Sequence, residues 1–186
     1  MIEPIKTRRL RLESLSAEIL QALVDEDLER TRQLAPFRLP FGTSLAGKAW
    51  LARRLKMIHK DASQHPWMYR AIVRKEDSEM VGYTSFHHAF PDPDLAQYSE
   101  CGVELGYTIE PSYRRLGYAP ESILAVIDWA RKKHTNAEVF VTISPANKPS
   151  INLAKSLAFV KAGERSDDID GLEHVLKYPA NRNAPA

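Results

Sequence analysis

A single α+β domain with a mixed sheet follows from three features of the chain. A strand-like start leads into two helical stretches, residues 67–109 have the texture of strands, and beyond Pro120 helices and strands alternate before a final strand pair. The predicted order is strand, two helices, three strands, helix, strand, helix, two strands.

Arg9-Leu10-Arg11-Leu12 alternates polar and apolar residues, the pattern of a half-buried strand. Ser16 can cap a helix from Ala17 to about Leu34, with Ile19, Leu20, Leu23, Val24 and Leu28 as its apolar stripe. Pro36 and Pro40 bound a loop holding Phe37, with Phe41 just beyond. A second helix, about Leu45 to His59, sets Trp50, Leu51, Leu55 and Ile58 against a basic opposite face. Trp67–Arg74 and Met80–His87 flank the polar turn Lys75-Glu76-Asp77-Ser78 and read as a hairpin. Glu100–Ile109 is a further strand, after the loop Pro91-Asp92-Pro93-Asp94.

The run Glu110–Gly117 is too polar and turn-rich for a regular element, and Pro120 suits the first turn of a helix reaching about His134. Val139–Ser144 is a short buried strand. Asn147 and Pro149 start a short helix ending near Leu157. Phe159–Glu164 and Leu172–Tyr178 pair around an acidic turn, and residues 179–186 form a tail to a domain spanning 1–178.

Composition narrows the function. With 44% apolar and 27% charged residues the chain is ordinary for a soluble domain. At 186 residues it buries roughly 70% of its unfolded surface without disulfides or metal. A single cysteine, Cys101, excludes an internal disulfide and fits a reducing, cytoplasmic setting. The charged start is no signal peptide, no apolar stretch nears the ~20 residues of a membrane span, and a net charge of +2 argues against nucleic acid.

The chemistry-bearing segment is Tyr107–Glu121: a strand, a basic turn ending in glycine, then a helix. The first turn of a helix presents unpaired N–H groups and the positive end of its dipole, and so attracts phosphate. Gly117 admits close backbone approach, Ala119 adds little bulk, and Arg114 and Arg115 supply charge. These features define an anion site without naming the anion; an ordinary loop with solvated arginines has the same composition.

Arg114-Arg115-Leu116-Gly117-Tyr118-Ala119 resembles the pyrophosphate loop of the GNAT acetyltransferase superfamily. Asn147-Lys148-Pro149-Ser150 with Leu157-Ala158-Phe159 resembles that family's second motif, and Thr7-Arg8-Arg9-Leu10-Arg11-Leu12 resembles the opening of its RimJ/RimL-like branch. Each motif is loose; three in order over nearly the whole chain are specific.

The resemblance implies a mostly antiparallel sheet with splayed central parallel strands, those of Glu104 and Val139, and helices on both faces. It implies acetyl-CoA as co-substrate, no metal, and direct attack of a primary amine on the thioester. Tyr107, Ile109, Arg114, Arg115, Leu116, Gly117, Tyr118, Ala119, Asn147 and Ser150 would bind the cofactor, with backbone N–H groups around Tyr107 polarising the thioester carbonyl.

Glu104 is the candidate base and equally a surface carboxylate on a polar strand face. Ser150 is the candidate acid and equally a helix cap, because Ala154 stands where many relatives carry a tyrosine acid. The histidines His87, His88 and His174 read as structural, and Cys101 as core.

An α-amine, with pKa near ~8, is neutral far more often at pH 7 than a lysine amine near ~10.4, so a base serves lysine-like acceptors most. For the acceptor, Glu100 and Asp168 among the acidic loops, with Phe37 and Trp50, are candidate contacts, although turns are commonly acidic and such aromatics are commonly core. The acceptor is a small cationic amine, aminoglycoside-like or polyamine-like, or a protein N-terminus. The other class of function is a non-catalytic CoA-binding sensor, and the resemblance leaves room for a homodimer.

Overall fold

In the computed structural model, residues 2–39, 47–167 and 171–180 are described. The strands are β1 (Ile5–Lys6), β2 (Leu10–Ser14), β3 (Arg70–Arg74), β4 (Met80–Phe86), β5 (Gly102–Ile109), β6 (Glu138–Ile143), β7 (Val160–Asp167) and β8 (Gly171–Lys177). The helices are α1 (Ala17–Val24), α2 (Leu28–Leu34), α3 (Lys48–Lys60), α4 (Tyr118–Lys133) and α5 (Lys148–Ser156). Short 3₁₀ turns occupy Ala62–Trp67, Pro93–Leu95 and Pro111–Tyr113.

One eight-stranded sheet runs β1-β2-β3-β4-β5-β6-β8-β7, antiparallel everywhere except between β5 and β6. Helices cover both faces. Tyr83 and Phe86 of β4 lie an odd number of residues apart and so point to opposite sides. Trp50 of α3 packs on Tyr83 and Trp129 of α4 on Phe86. Leu10, Leu12, Leu20, Ile72, Val103, Ile127 and Val139 are fully excluded from solvent between these layers.

Several expected boundaries move. The helix expected from Ala17 to Leu34 breaks at Glu26, whose φ is +60°. Asp27 then caps a separate α2 by accepting from Arg30 N–H, and Leu28 turns outward. The last strand pair is longer than expected: β7 runs on to Asp167, which brings Arg165 into register with Glu173. The third helix is not basic over its whole outer side, because Arg54 is only 2% exposed and lies 4.5 Å over the Trp50 ring. Cys101 is half-buried beside the Asn136 amide rather than core. Phe41 lies outside the described residues, as do Asp168 and tail residues 181–186.

Candidate acyl-transfer site

At Gly117 the chain leaves β5 for α4 through a turn with two left-handed residues, Arg115 (φ +62°) and Gly117 (φ +81°). Helices α1, α2 and α5 have first-turn N–H groups bonded to the side chains of Ser16, Asp27 and Asn147. α4, like α3 at Gly47, opens on a glycine, Gly117, with no side-chain acceptor. Its free donors and its dipole face outward beside the exposed Arg114, Arg115 and Leu116. A bound pyrophosphate would take the place of the missing cap.

The turn is braced. Arg114 donates from Nε to the Ile109 carbonyl (2.9 Å), and Arg9 donates from Nη1 to the Leu116 carbonyl (2.9 Å) while lying 4.7 Å over the Tyr118 ring. Glu121, in the first turn of α4, accepts from Thr7 Oγ1, Arg9 N–H and Arg9 Nε at 2.6–2.8 Å. Those bonds hold its carboxyl below its ordinary range against the opposing effect of burial, which is the largest single influence.

β5 and β6 pair only over Gly102↔Glu138, Val103↔Val139 and Glu104↔Phe140. β5 continues five residues further, still paired to β4, and β6 continues three. The two strands therefore part beyond Glu104 and leave a wedge whose edges carry backbone groups without a strand partner, the polar lining an extended amide-containing ligand can bond.

On the α3 side of the wedge is a charged cluster. Glu104 is 1% exposed. Its carboxylate accepts from Arg165 Nη1 (2.8 Å) and Nη2 (2.9 Å) and from Thr142 Oγ1, and it stands 3.3 Å from His87 Nδ1. Arg165 also donates from Nε to Glu173 (3.0 Å). Burial would lower the Arg165 pKa, but the two carboxylates outweigh it and raise it. His87 is pushed down to about 4, chiefly by burial, with Arg54, Arg165 and His88 adding to the effect and Glu104 opposing it. Burial likewise lowers Arg54 to about 10.

On the α4 side, Tyr107 sits across from Thr84 with its Oη buried beside Ser150. Burial raises its pKa and Ser150 opposes this.

These features match a known family. Residues 9–160 match the acetyltransferase (GNAT) domain family. The chain belongs to the GNAT acetyltransferases. It is 26% identical over 160 residues to the uncharacterized N-acetyltransferase YjdG of Bacillus subtilis (84% of this chain, 89% of that protein). It is 25% identical over 167 residues to the uncharacterized N-acetyltransferase p20 of Bacillus licheniformis (87% and 85%). Among solved structures, a Vibrio fischeri ribosomal-protein-S5-alanine acetyltransferase superposes with a TM-score of 0.63 at 17% identity (98% of this chain, 99% of that one). RimL, a ribosomal L7/L12 α-N-protein acetyltransferase in complex with coenzyme A, superposes with a TM-score of 0.60 at 15% identity (94% and 97%).

In this GNAT domain the expected loop residues Arg114, Arg115, Leu116, Gly117, Tyr118 and Ala119 are contiguous with the wedge that Tyr107 and Ile109 line. Asn147 caps α5 by accepting from Ser150 N–H (3.2 Å), which leaves the Ser150 hydroxyl free of capping. Glu104 and Trp50 share the α3 face. The structure does not bring Glu100 to them: it lies in an exposed turn before β5, at the end where β5 and β6 are still paired. Phe37 is core, and Asp168 is outside the described residues. His88, Asp92 and Asp94 place potential ligand atoms within 4.8 Å of one another, close enough to share a cation. The buried Asp92 carboxyl is raised mainly by its burial.

A cavity of about 1040 Å³ lies elsewhere, lined by residues 2–7, Pro66 and α4 residues including Glu121, Leu124 and Trp129. Its lining contains none of the wedge residues Glu104, Tyr107, His87 or Arg165.

Arg165, Thr142 and Arg54, which the sequence did not single out, stand in or beside the Glu104 cluster with His87, read from sequence as structural, while Arg9 of the opening motif braces the α4 turn. The one local signal was the polar side of the β4 pattern at His87.

Proposed function

We propose that the chain transfers the acetyl group of acetyl-CoA to the primary amine of a small cationic molecule or of a protein N-terminus. The observation that carries this reading is the wedge between β5 and β6, with an uncapped helix start at its mouth and the Glu104–Arg165–His87 cluster on its α3 side. Gly117 and the first turn of α4, with Arg114 and Arg115, take the pyrophosphate. The pantetheine arm lies in the wedge against Tyr107 and Ile109, with Asn147 and Ser150 on its α5 side. The acceptor enters from the α3 face, where Asp92, Asp94 and Glu173 favour a cationic group and Trp50 gives it an apolar wall. The ribosomal-protein acetyltransferases among the structural neighbours support including protein α-amines.

The test is acetyl-CoA consumption across free polyamines, aminoglycosides and N-terminal peptides, with CoA binding measured in parallel by calorimetry. Turnover of one class names the acceptor. CoA binding with no turnover on any amine would favour the alternative, a CoA-binding sensor, which the buried Ala154 at the usual position of the tyrosine acid keeps in play.

A further inference from the structure

The geometry points to His87 as the group that takes the proton from the attacking amine, with Glu104 as its positioning residue. This rests on the acetyl-transfer reading and assigns the base within it.

Glu104 is poorly placed to accept that proton. Both its oxygens take hydrogen bonds from Arg165, and Oε1 also takes that of Thr142. With those bonds in place and the residue 1% exposed, little of the carboxylate is open to an incoming amine. It can still orient a neighbour. His87 Nδ1 stands 3.3 Å from Glu104 Oε1, and an acceptor-only carboxylate favours the proton on the nitrogen facing it. The other nitrogen, Nε2, then carries the lone pair.

Nε2 has somewhere to direct it. His87 lies across from Glu104, its N–H bonding the Glu104 carbonyl at 2.9 Å, and its ring reaches along β5 to Gly106. A Cβ at Gly106 would stand 3.5 Å from Nε2. Gly106 is two residues past the last β5–β6 pair, so Nε2 overlooks the wedge at the one β5 residue there without a side chain. The imidazole is 31% exposed, on the side from which an acceptor enters.

Its surroundings hold the ring neutral at rest and also lower its pKa, so it takes the amine's proton by position and not by strength. Arg54 from α3, Arg165 from β7 and the adjacent His88 oppose its protonation, Glu104 from β5 favours it, and burial settles the balance toward the neutral ring. In the reaction, the amine lone pair forms the N–C bond to the thioester carbonyl carbon. The nitrogen's proton passes to His87 Nε2, and the C–S bond breaks with its electron pair on sulfur. The thiolate then takes up a proton, giving amide and CoA thiol, and His87 returns its proton to solvent.

Two measurements test this. In ¹⁵N-labelled protein at pH 7, the ring of His87, assigned by its loss in His87→Gln, should be the neutral Nδ1–H tautomer and should lose that preference in Glu104→Gln. An Nε2–H tautomer or an imidazolium overturns the proposal whether or not an acceptor is known. With an amine that turns over, His87→Gln should lower kcat by about 100-fold or more with the acetyl-CoA KM unchanged. Glu104→Gln should shift the pH–rate limb that His87→Gln abolishes. Activity of His87→Gln within threefold of wild type also overturns it. Failure of every amine in the panel would sink the transfer reading and would leave the tautomer result to judge His87 separately.

Discussion

Arg165 grips both oxygens of Glu104 across 61 residues of chain, and the carboxylate it holds is 1% exposed. Removing the guanidinium leaves that charge buried beside Thr142 and His87. Arg165→Met should cost about 3–5 kcal/mol in urea denaturation at pH 7. The double variant Arg165→Met/Glu104→Leu should recover much of the loss. A single-variant cost below about 1 kcal/mol would show that Glu104 is protonated or solvated instead.

Acid should weaken the protein through His87. Its folded pKa lies near 4, below the ordinary 6.5, so between those values the unfolded chain binds a proton that the native state does not. Stability therefore falls as pH drops from about 6.5 toward 4, and this contribution is flat above 6.5. His87→Gln should flatten that limb in denaturation midpoints taken at several pH values; an unchanged slope would place the effect elsewhere.

Gly117 holds a φ of +81°, and a Cβ there would stand 3.1 Å from Arg9 Nη2. Gly117→Ala should cost about 1–2 kcal/mol in strain and displace the donors of the first α4 turn, weakening CoA binding at least tenfold by calorimetry. Unaltered CoA affinity would remove this turn from the binding site.

At the start of α5 two neighbouring residues should separate cleanly. Asn147→Ala deletes the cap bond to Ser150 N–H and should cost about 1 kcal/mol. Ser150→Ala makes no such loss and should change stability by less than half that, while slowing turnover if the hydroxyl serves the leaving thiolate. Equal stability losses would return the capping role to Ser150.

What was legible in sequence is what local rules govern. The alternation of Leu10 and Leu12, the polar turn at Lys75–Ser78, the glycine before α4 and the Asn147 cap all act within a few residues, and each appears where its chemistry places it. The helix break at Glu26 escaped because the apolar spacing runs through it, and only the capping by Asp27 reveals the new start. The charged cluster escaped for a different reason. Arg165 reads as the edge of a loop and becomes a site residue only because β7 extends and the sheet order sets β8 between β7 and β6. His87 reads as one more strand histidine until Glu104 lies opposite it. Arg54 reads as solvated until the helix packs it over Trp50. Each is a partnership across distant sequence, set by topology.

The parting of β5 and β6 also has a mechanical meaning. Among the described residues, three residue pairs of the sheet ladder, with the Glu104 side-chain bonds to Thr142 and Arg165 beside them, join a five-strand blade to a three-strand blade at that seam. Amides of β6 and of the far half of β5 should exchange with solvent faster than those of β3 and β4, and a ligand seated in the seam should slow them together. A co-substrate seated there would act as a keystone, leaving the protein stiffest while loaded and returning play to the sheet as the product departs.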